Sequence, residues 1–218
     1  MLDDWTEVDE RKGIDRYVDV DCEGLVIAHF EDALAQLQRW PAEPLRLYFA
    51  ARSVHSAMVA ALTTAIAGTD STGAFVEKAR KEWLAFFETM RDGFEEVGPS
   101  DRVMSFREMI AKAQRDGGGW LTEPLSMDAD TLSLIDRLTV LRDRMEHPRP
   151  ELMAYQPEFI LETLPPAIEL GERFLSQVKH RLDAIQSFVA VRTITALSEQ
   201  VELLLEKSRA SDKLQASQ

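Results

Sequence analysis

The chain has only one cysteine, Cys22, among its 218 residues. A single thiol cannot form an internal disulfide, and this fits a protein of a reducing compartment. The N-terminal stretch MLDDWTEVDE is acidic where a secretory signal would be basic and then apolar. No apolar run approaches the roughly 20 residues that a membrane-spanning helix needs. We therefore expect a cytoplasmic protein that does not associate with membranes.

Basic side chains are fewer than acidic ones. The chain has 25 lysines and arginines and 38 acidic residues, which gives a formal net charge of −13. Such a field opposes the binding of a polyanion over a wide surface, which disfavours a protein that coats DNA or RNA. It does not exclude a local basic site that receives a single phosphodiester. Hydrophobic residues make up 45% of the chain and charged residues 29%, which is typical of a folded protein with an apolar core.

No segment shows the two-residue alternation of a strand with hairpin signals. Apolar residues recur instead at spacings of three and four, the period of an amphipathic helix. The fold class predicted is all-α, an up-down bundle of about five to six helices with a long C-terminal helix. We expect an irregular acidic lead-in over residues 1–19, one helical domain over 20–207 and a polar tail over 208–218.

The stripes place helices at about residues 20–40, 45–67, 75–97, 105–116 and 128–146. The fourth helix is predicted to begin with a capping box, Ser105-Phe-Arg-Glu108. Helical character returns near Pro157 and runs to about Lys207. Unbroken from Pro166, this last helix would be roughly 60 Å long, so we expect it to pack on a partner subunit or to bend near residues 191–193.

Motifs for metal and nucleotide sites are missing. None of the four histidines follows a glutamate by three residues, as a di-iron bundle site requires, and there is no His-x-x-x-His or calcium loop. A three-histidine site from His29, His55 and His147 or His180 stays open, although His29 and His55 lie in apolar stripes. The run Asp116-Gly-Gly-Gly119 lacks the strand and Gly-Lys-Ser/Thr of a phosphate loop and is interpreted as a flexible connector. We predict no metal and no cofactor.

The segment LTVLRDRMEHPRP, residues 138–150, concentrates charge at a helix end. On a continuous helix Arg142 and His147 would point about 140° apart, because each residue turns the helix by about 100°. Pro148 disfavours a helical conformation at His147, so the helix should end at or before Glu146. His147 can then turn back beside Arg142.

Such a pair suits RNA cleavage without a metal. A neutral histidine can accept the proton of a ribose 2′-hydroxyl or donate one to the leaving 5′-oxygen. A fixed guanidinium can bind the phosphate and offset the charge that develops on its oxygens. The alternative is a helix cap, because basic side chains are favoured at helix C-termini and Arg142 can pair with Glu146 four residues on.

The six residues Arg142-Asp143-Arg144-Met145-Glu146-His147 resemble the signature of the HEPN superfamily (higher eukaryotes and prokaryotes nucleotide-binding domain). That signature is Arg, a polar Asn, Asp or His, and a His four to six residues after the Arg, late in an all-α bundle. The resemblance could cover residues 20–190, and it implies a dimer in which two motifs meet. Many members are ribonucleases of toxin–antitoxin or phage-defence systems, while others serve as binding or scaffold domains. Asp143 departs from the commoner Asn, and the chain is more acidic than a minimal toxin.

The first hypothesis is therefore a dimeric, metal-independent endoribonuclease acting on RNA, with an antitoxin protein as a further partner. Arg142 would bind the scissile phosphate, His147 would act as general acid and base, Asp143 would orient one of them, and Arg144 would add positive charge for the substrate. The second hypothesis is a non-catalytic HEPN-like scaffold that assembles through its long last helix. The third is a helical bundle that binds a small ligand or a metal.

Overall fold

A computed structural model describes residues 21–40, 42–90, 98–147 and 154–215. The regular secondary structure of these segments is helical and includes no strand, only the isolated bridges Phe75–Val103 and Gly118–Leu121. Within them lie eight α-helices: α1 (Cys22–Arg39), α2 (Arg46–Ala67), α3 (Glu77–Met90), α4 (Phe106–Asp116), α5 (Ala129–Glu146), α6 (Pro157–Leu161), α7 (Leu164–Gln177) and α8 (Ala184–Gln215). A 3-10 turn, Lys179–Arg181, precedes α8. The all-α prediction is confirmed at this level.

Helix α2 lies at the centre of the core, in contact with α1, α4, α5, α6 and α7. Its apolar side chains are small on several sides, which lets neighbouring helices approach. More than half of the residues of α2 are buried. The stripe predicted for α2 is confirmed, since each member is 2% exposed or less: Leu47, Ala51, Val54, Met58, Leu62 and Ala65. Helix α8 packs on α1, α6 and α7.

Polar caps fix where several helices begin. The capping box of α4 is present, with the Ser105 side chain accepting from the Glu108 backbone and the Glu108 carboxylate accepting from the Ser105 backbone. Asp128 caps α5 by accepting a hydrogen bond from the Thr131 N–H at 2.7 Å. Helix α3 starts at Glu77, two residues after the predicted start, and the end expected at Val97 lies outside the described residues.

The C-terminal region differs from the prediction. The helical pattern is interrupted at residues 178–183, and α8 then continues without a break through residues 191–193, the position of the predicted bend. The interruption has a local cause, because the Asp183 and Gln186 side chains each accept from the other's backbone N–H, at 2.7 and 3.1 Å. This reciprocal cap starts a new helix. The apolar spacing of Leu175, Val178, Leu182, Ile185 and Val189 predicts one inward-facing stripe, but because the helix is interrupted Ile185 is exposed.

The tail predicted from residue 208 is helical as far as Gln215. The lead-in expected over residues 1–19 lies outside the described residues. None of the helices in the described segments has both the length and the apolarity needed to cross a lipid bilayer.

Candidate functional site at the end of α5

The α5 helix ends at Glu146, and His147 leaves it. His147 has backbone angles of φ −121° and ψ 69°, outside the helical region, while its N–H still bonds the Asp143 carbonyl at 3.0 Å. The predicted end of this helix is therefore confirmed. Pro148, to which we attribute that end, lies outside the described residues. The His147 residue is exposed.

The Arg142 guanidinium contacts two carboxylates of its own helix. Its Nη1 donates to Asp143 Oδ1 at 3.0 Å, and its Nη2 lies 2.7 Å from Glu146 Oε2. The Arg142 side chain is 34% exposed, and its Nε is buried with no hydrogen-bond partner in the described part of the chain. The i, i+4 pairing that the spacing allowed is thus present, and it occupies both terminal nitrogens that a phosphate would bind.

Helix α2 adds a second arginine to this cluster. Arg52 Nε lies 3.8 Å from Glu146 Oε1, so the Glu146 carboxylate stands between Arg52 and Arg142. Two guanidiniums and two carboxylates therefore face one another here, and their formal charges cancel. The cluster is not a cationic pocket, although it contains two arginines.

His55, also on α2, lies close enough to Arg142 and Asp143 to feel both charges. It is 4% exposed, and its ring packs on Phe106 with centroids 5.5 Å apart. Burial, with the positive charge of Arg142 added, lowers the pKa of His55 to about 4, and the Asp143 carboxylate opposes the shift only in part. His55 is a neutral imidazole in the folded protein at neutral pH.

Arg144 is directed to a different part of the fold. Its Nη1 donates to the hydroxyl of Tyr155, which follows the undescribed residues 148–153. The Tyr155 ring stacks on Phe159 of α6, with centroids 5.5 Å apart and planes 8° apart. The residues predicted from the sequence therefore do not form one group. Arg142 contacts Asp143, whereas Arg144 contacts Tyr155, whose ring stacks on Phe159 of α6.

Sequence reasoning missed the contribution of α2. Arg52 and His55 are three residues apart, so they share a face of α2, and this pair of basic side chains in a largely apolar helix was the available signal. On its other side Arg52 lines a cleft of about 330 Å³ between α1 and α2. There Asp32 accepts from Ser53, and burial lowers the pKa of His29.

Among the described residues no group of three or more histidine, cysteine and acidic side chains is placed to hold a metal ion. No protein family, curated protein or solved structure matches the chain. The HEPN resemblance therefore rests on the motif in α5.

Proposed function

We propose that this chain is a non-catalytic helical interaction protein, an up-down bundle of the HEPN-like type, that self-associates through α8. The observation that carries the proposal is an exposed apolar face on that helix. Ile185, Phe188 and Val191 are between 66% and 75% exposed and recur every three residues. Large apolar side chains that stay in water at helical spacing favour an interaction surface over a solvated one.

The exposed face continues along the helix. At about 100° per residue, the members of this α8 face lie within about 60° of the direction of Phe188. All are exposed, and between residues 184 and 206 they are Ala184, Ile185, Phe188, Val191, Arg192, Thr195, Glu199, Glu202, Leu203 and Glu206. The opposite side of α8 is buried against the protein, at Ala190, Ile194, Leu197, Val201 and Leu204. Among the described residues, none covers the α8 face, so this face could receive a partner.

Charge complementarity supports a second copy of the chain as that partner. In an antiparallel pair of α8 helices centred between Thr195 and Ala196, Arg192 lies opposite Glu199 of the second copy. The same register sets Phe188 opposite Leu203. A two-fold axis repeats both matches, as an isologous dimer requires. One register thus pairs Arg192 with Glu199 and Phe188 with Leu203, while Ile185, nearer the end of the pair, lies opposite Glu206.

The α5 end supports the non-catalytic part of the proposal. A guanidinium that binds Asp143 and Glu146 has little left to offer a phosphate, and Glu146 would repel the phosphate as it approached. A helix-end cluster of balanced charge stabilises α5 against α2 without any reaction.

Sedimentation velocity of the full chain tests the association. Phe188→Ser should weaken the dimer tenfold or more, since truncating a buried aromatic anchor costs upwards of about 1.4 kcal/mol. Leu45→Ser is the matched control, because Leu45 is equally exposed, at 68%, but lies at the start of α2. A monomeric wild type at about 100 μM, far above the dissociation constants of specific dimers, would overturn the proposal, as would equal effects of the two variants.

The second candidate is the dimeric endoribonuclease, of toxin–antitoxin or phage-defence type, with an antitoxin as partner. It is favoured by the end of α5 at Glu146, which releases His147 from the helix as that chemistry requires. His147 would accept the 2′-hydroxyl proton and a second acid would protonate the leaving 5′-oxygen. Arg142 would exchange Glu146 for the phosphate, Asp143 would orient the catalytic pair, and Arg144 would contact the substrate.

RNA cleavage by the purified chain, with a chelator present, separates the two candidates. The interaction protein predicts intact RNA for the wild type and for Glu146→Gln, which frees Arg142. The ribonuclease predicts cleavage by the wild type, faster cleavage by Glu146→Gln and none by His147→Ala. His180→Ala is the control, because His180 is an exposed histidine that contacts Trp120 far from the α5 motif in sequence.

A further inference from the structure

A cleft of about 470 Å³ lies between the first turn of α3 and the length of α4. Its size falls in the range of small-molecule sites. Phe75, Val76, Met104 and Ala111 supply apolar wall, while Arg80 from α3 and Lys112 from α4 bring two cations to the same space. None of these residues belongs to the α5 motif or to the α8 face.

Neither of the two cations is paired with a carboxylate of any described residue. Arg80 Nε is buried and has no hydrogen-bond partner within the described segments. Lys112 Nζ donates to the Gly73 carbonyl at 2.6 Å, which is a neutral acceptor. Burial of such donors is unfavourable unless charge or hydrogen bonds compensate it.

Glu77, Glu108 and Asp116 also line the cleft, and each of these carboxylates already has a partner of its own. Asp116 pairs with Arg115 at 2.6 Å, and Glu108 accepts from the Ser105 backbone in the α4 capping box. Glu77 pairs with Lys81 at 3.3 Å. Asp70, which the charge of Arg80 also reaches, accepts from the Thr72 N–H. These engagements leave Arg80 and Lys112 as the cations available to a ligand.

The electrostatics of Lys112 agree with this geometry. Burial and the nearby charge of Arg80 lower the pKa of Lys112, while Glu77 and Asp116 act in the opposite direction. Two positive groups that repel each other in one cleft would both be stabilised by an anion placed between them.

We infer that this cleft binds a small organic anion, with a carboxylate or phosphate held by Arg80 and Lys112 and an apolar body against Phe75 and Met104. A planar guanidinium can bind two oxygens of either anion, and the ammonium adds a compact charge beside it. The apolar wall distinguishes such a ligand from a free inorganic ion. The inference is independent of the proposed self-association, because no residue is shared.

Calorimetric titration of the full chain with phenylacetate, benzyl phosphate, inorganic phosphate and benzyl alcohol tests the inference. We expect saturable binding of at least one of the two aromatic anions, weaker binding of inorganic phosphate and none of the alcohol. The better of the two aromatic anions identifies the head group. Binding of the alcohol as tight as that of the anions, or no binding of either anion at about 10 mM, well above ordinary ligand affinities, would overturn it.

Arg80→Gln and Lys112→Gln should each weaken binding of the preferred anion about tenfold or more, since each removes a charged hydrogen-bond donor. Lys78→Gln is the control on the same helix, because its side chain is 87% exposed and pairs with Glu82. Equal affinities in all three variants would contradict the assignment.

Labelling the methionine methyl groups of the wild type gives a readout that needs no variant. Met104 lines the cleft, whereas Met58 is buried in α2, and Met145 lies near the end of α5. The Met104 signal should shift on addition of the anion. A shift of Met58 or Met145 with Met104 unmoved would place the ligand elsewhere and overturn the inference.

Discussion

A buried histidine beneath the end of α5 makes the stability of the fold depend on pH. In the unfolded chain the His55 imidazole recovers its ordinary pKa of 6.5, whereas in the folded protein the pKa lies at about 4. Between these values the unfolded chain binds a proton that the folded chain does not. The free energy of unfolding therefore falls as the pH is lowered through this window, and His55 contributes its full stability only above pH 6.5.

We predict that lowering the pH from about 7.5 to about 5.0 costs the wild type roughly 2 kcal/mol through His55. Urea unfolding at the two pH values measures this loss. His55→Gln should flatten the dependence, leaving the smaller contribution of half-buried His29, whose pKa burial also lowers. His180→Gln should retain the wild-type slope, since His180 is exposed. A slope unchanged by His55→Gln would show that another group carries the proton.

The residues around His55 show how much of the candidate site could be predicted from the sequence. The pairing of Arg142 with Glu146 follows from their spacing on one helix, and it was foreseeable as the capping alternative. The approach of Arg52 and His55 to α5 depends on how two helices pack, which no local pattern specifies. The sequence could thus predict the members of the cluster that lie on α5. The contribution of α2, and therefore the cancellation of the charges, is known only from the fold.

At the scale of elements, the connector after α4 is a packed turn. Gly119 has φ +63°, and a Cβ there would clash with the Ala65 carbonyl oxygen and lie 2.6 Å from the Ile66 backbone. The next residue, Trp120, bonds the same Ala65 carbonyl at 2.7 Å. Glycine is required here because the turn passes directly against the end of α2.

Gly119→Ala should lower the free energy of unfolding by about 3 kcal/mol, through a strained backbone and a clash with main-chain atoms. Gly118→Ala is a matched comparison, since Gly118 also has positive φ, at +97°, but nothing lies within 4 Å of its Cβ position. It should cost only the conformational strain, about 1 kcal/mol. Thermal or urea unfolding measures both losses, and equal losses would mean that the contact with α2 is not tight.

Helices were predictable where the sequence carries an apolar stripe or a side-chain cap. The stripes of α1 and α2 and the capping box of α4 are confirmed, because burial of one face and satisfaction of the first N–H groups are local demands. The break before α8 was missed because apolar spacing continues across residues 178–183. The Asp183 to Gln186 spacing is a capping signal that would have found it. Sequence period alone does not distinguish one long helix from two.

At the scale of the whole molecule, a net charge of −13 opposes the association of two copies. If this repulsion governed the dimer, every substitution that removes negative charge would strengthen it. The proposed α8 register predicts the opposite result at Glu199. The substitution Glu199→Arg makes each copy less negative, but it also sets a guanidinium opposite Arg192 of the second copy, and the two cations would repel each other.

We therefore predict that Glu199→Arg weakens the dimer, and that Arg192→Glu weakens it as well, each about tenfold because a two-fold axis doubles every like-charge contact. The double substitution should restore the affinity to within about threefold of the wild type, as a charge swap restores pairing. Glu172→Arg, an exposed change of equal charge on α7, controls for net charge and should leave the dimer unchanged or slightly stronger. Sedimentation equilibrium measures the four variants. Failure of the double variant to recover, or parallel effects of Glu199→Arg and Glu172→Arg, would exclude the antiparallel register and leave bulk charge as the determinant.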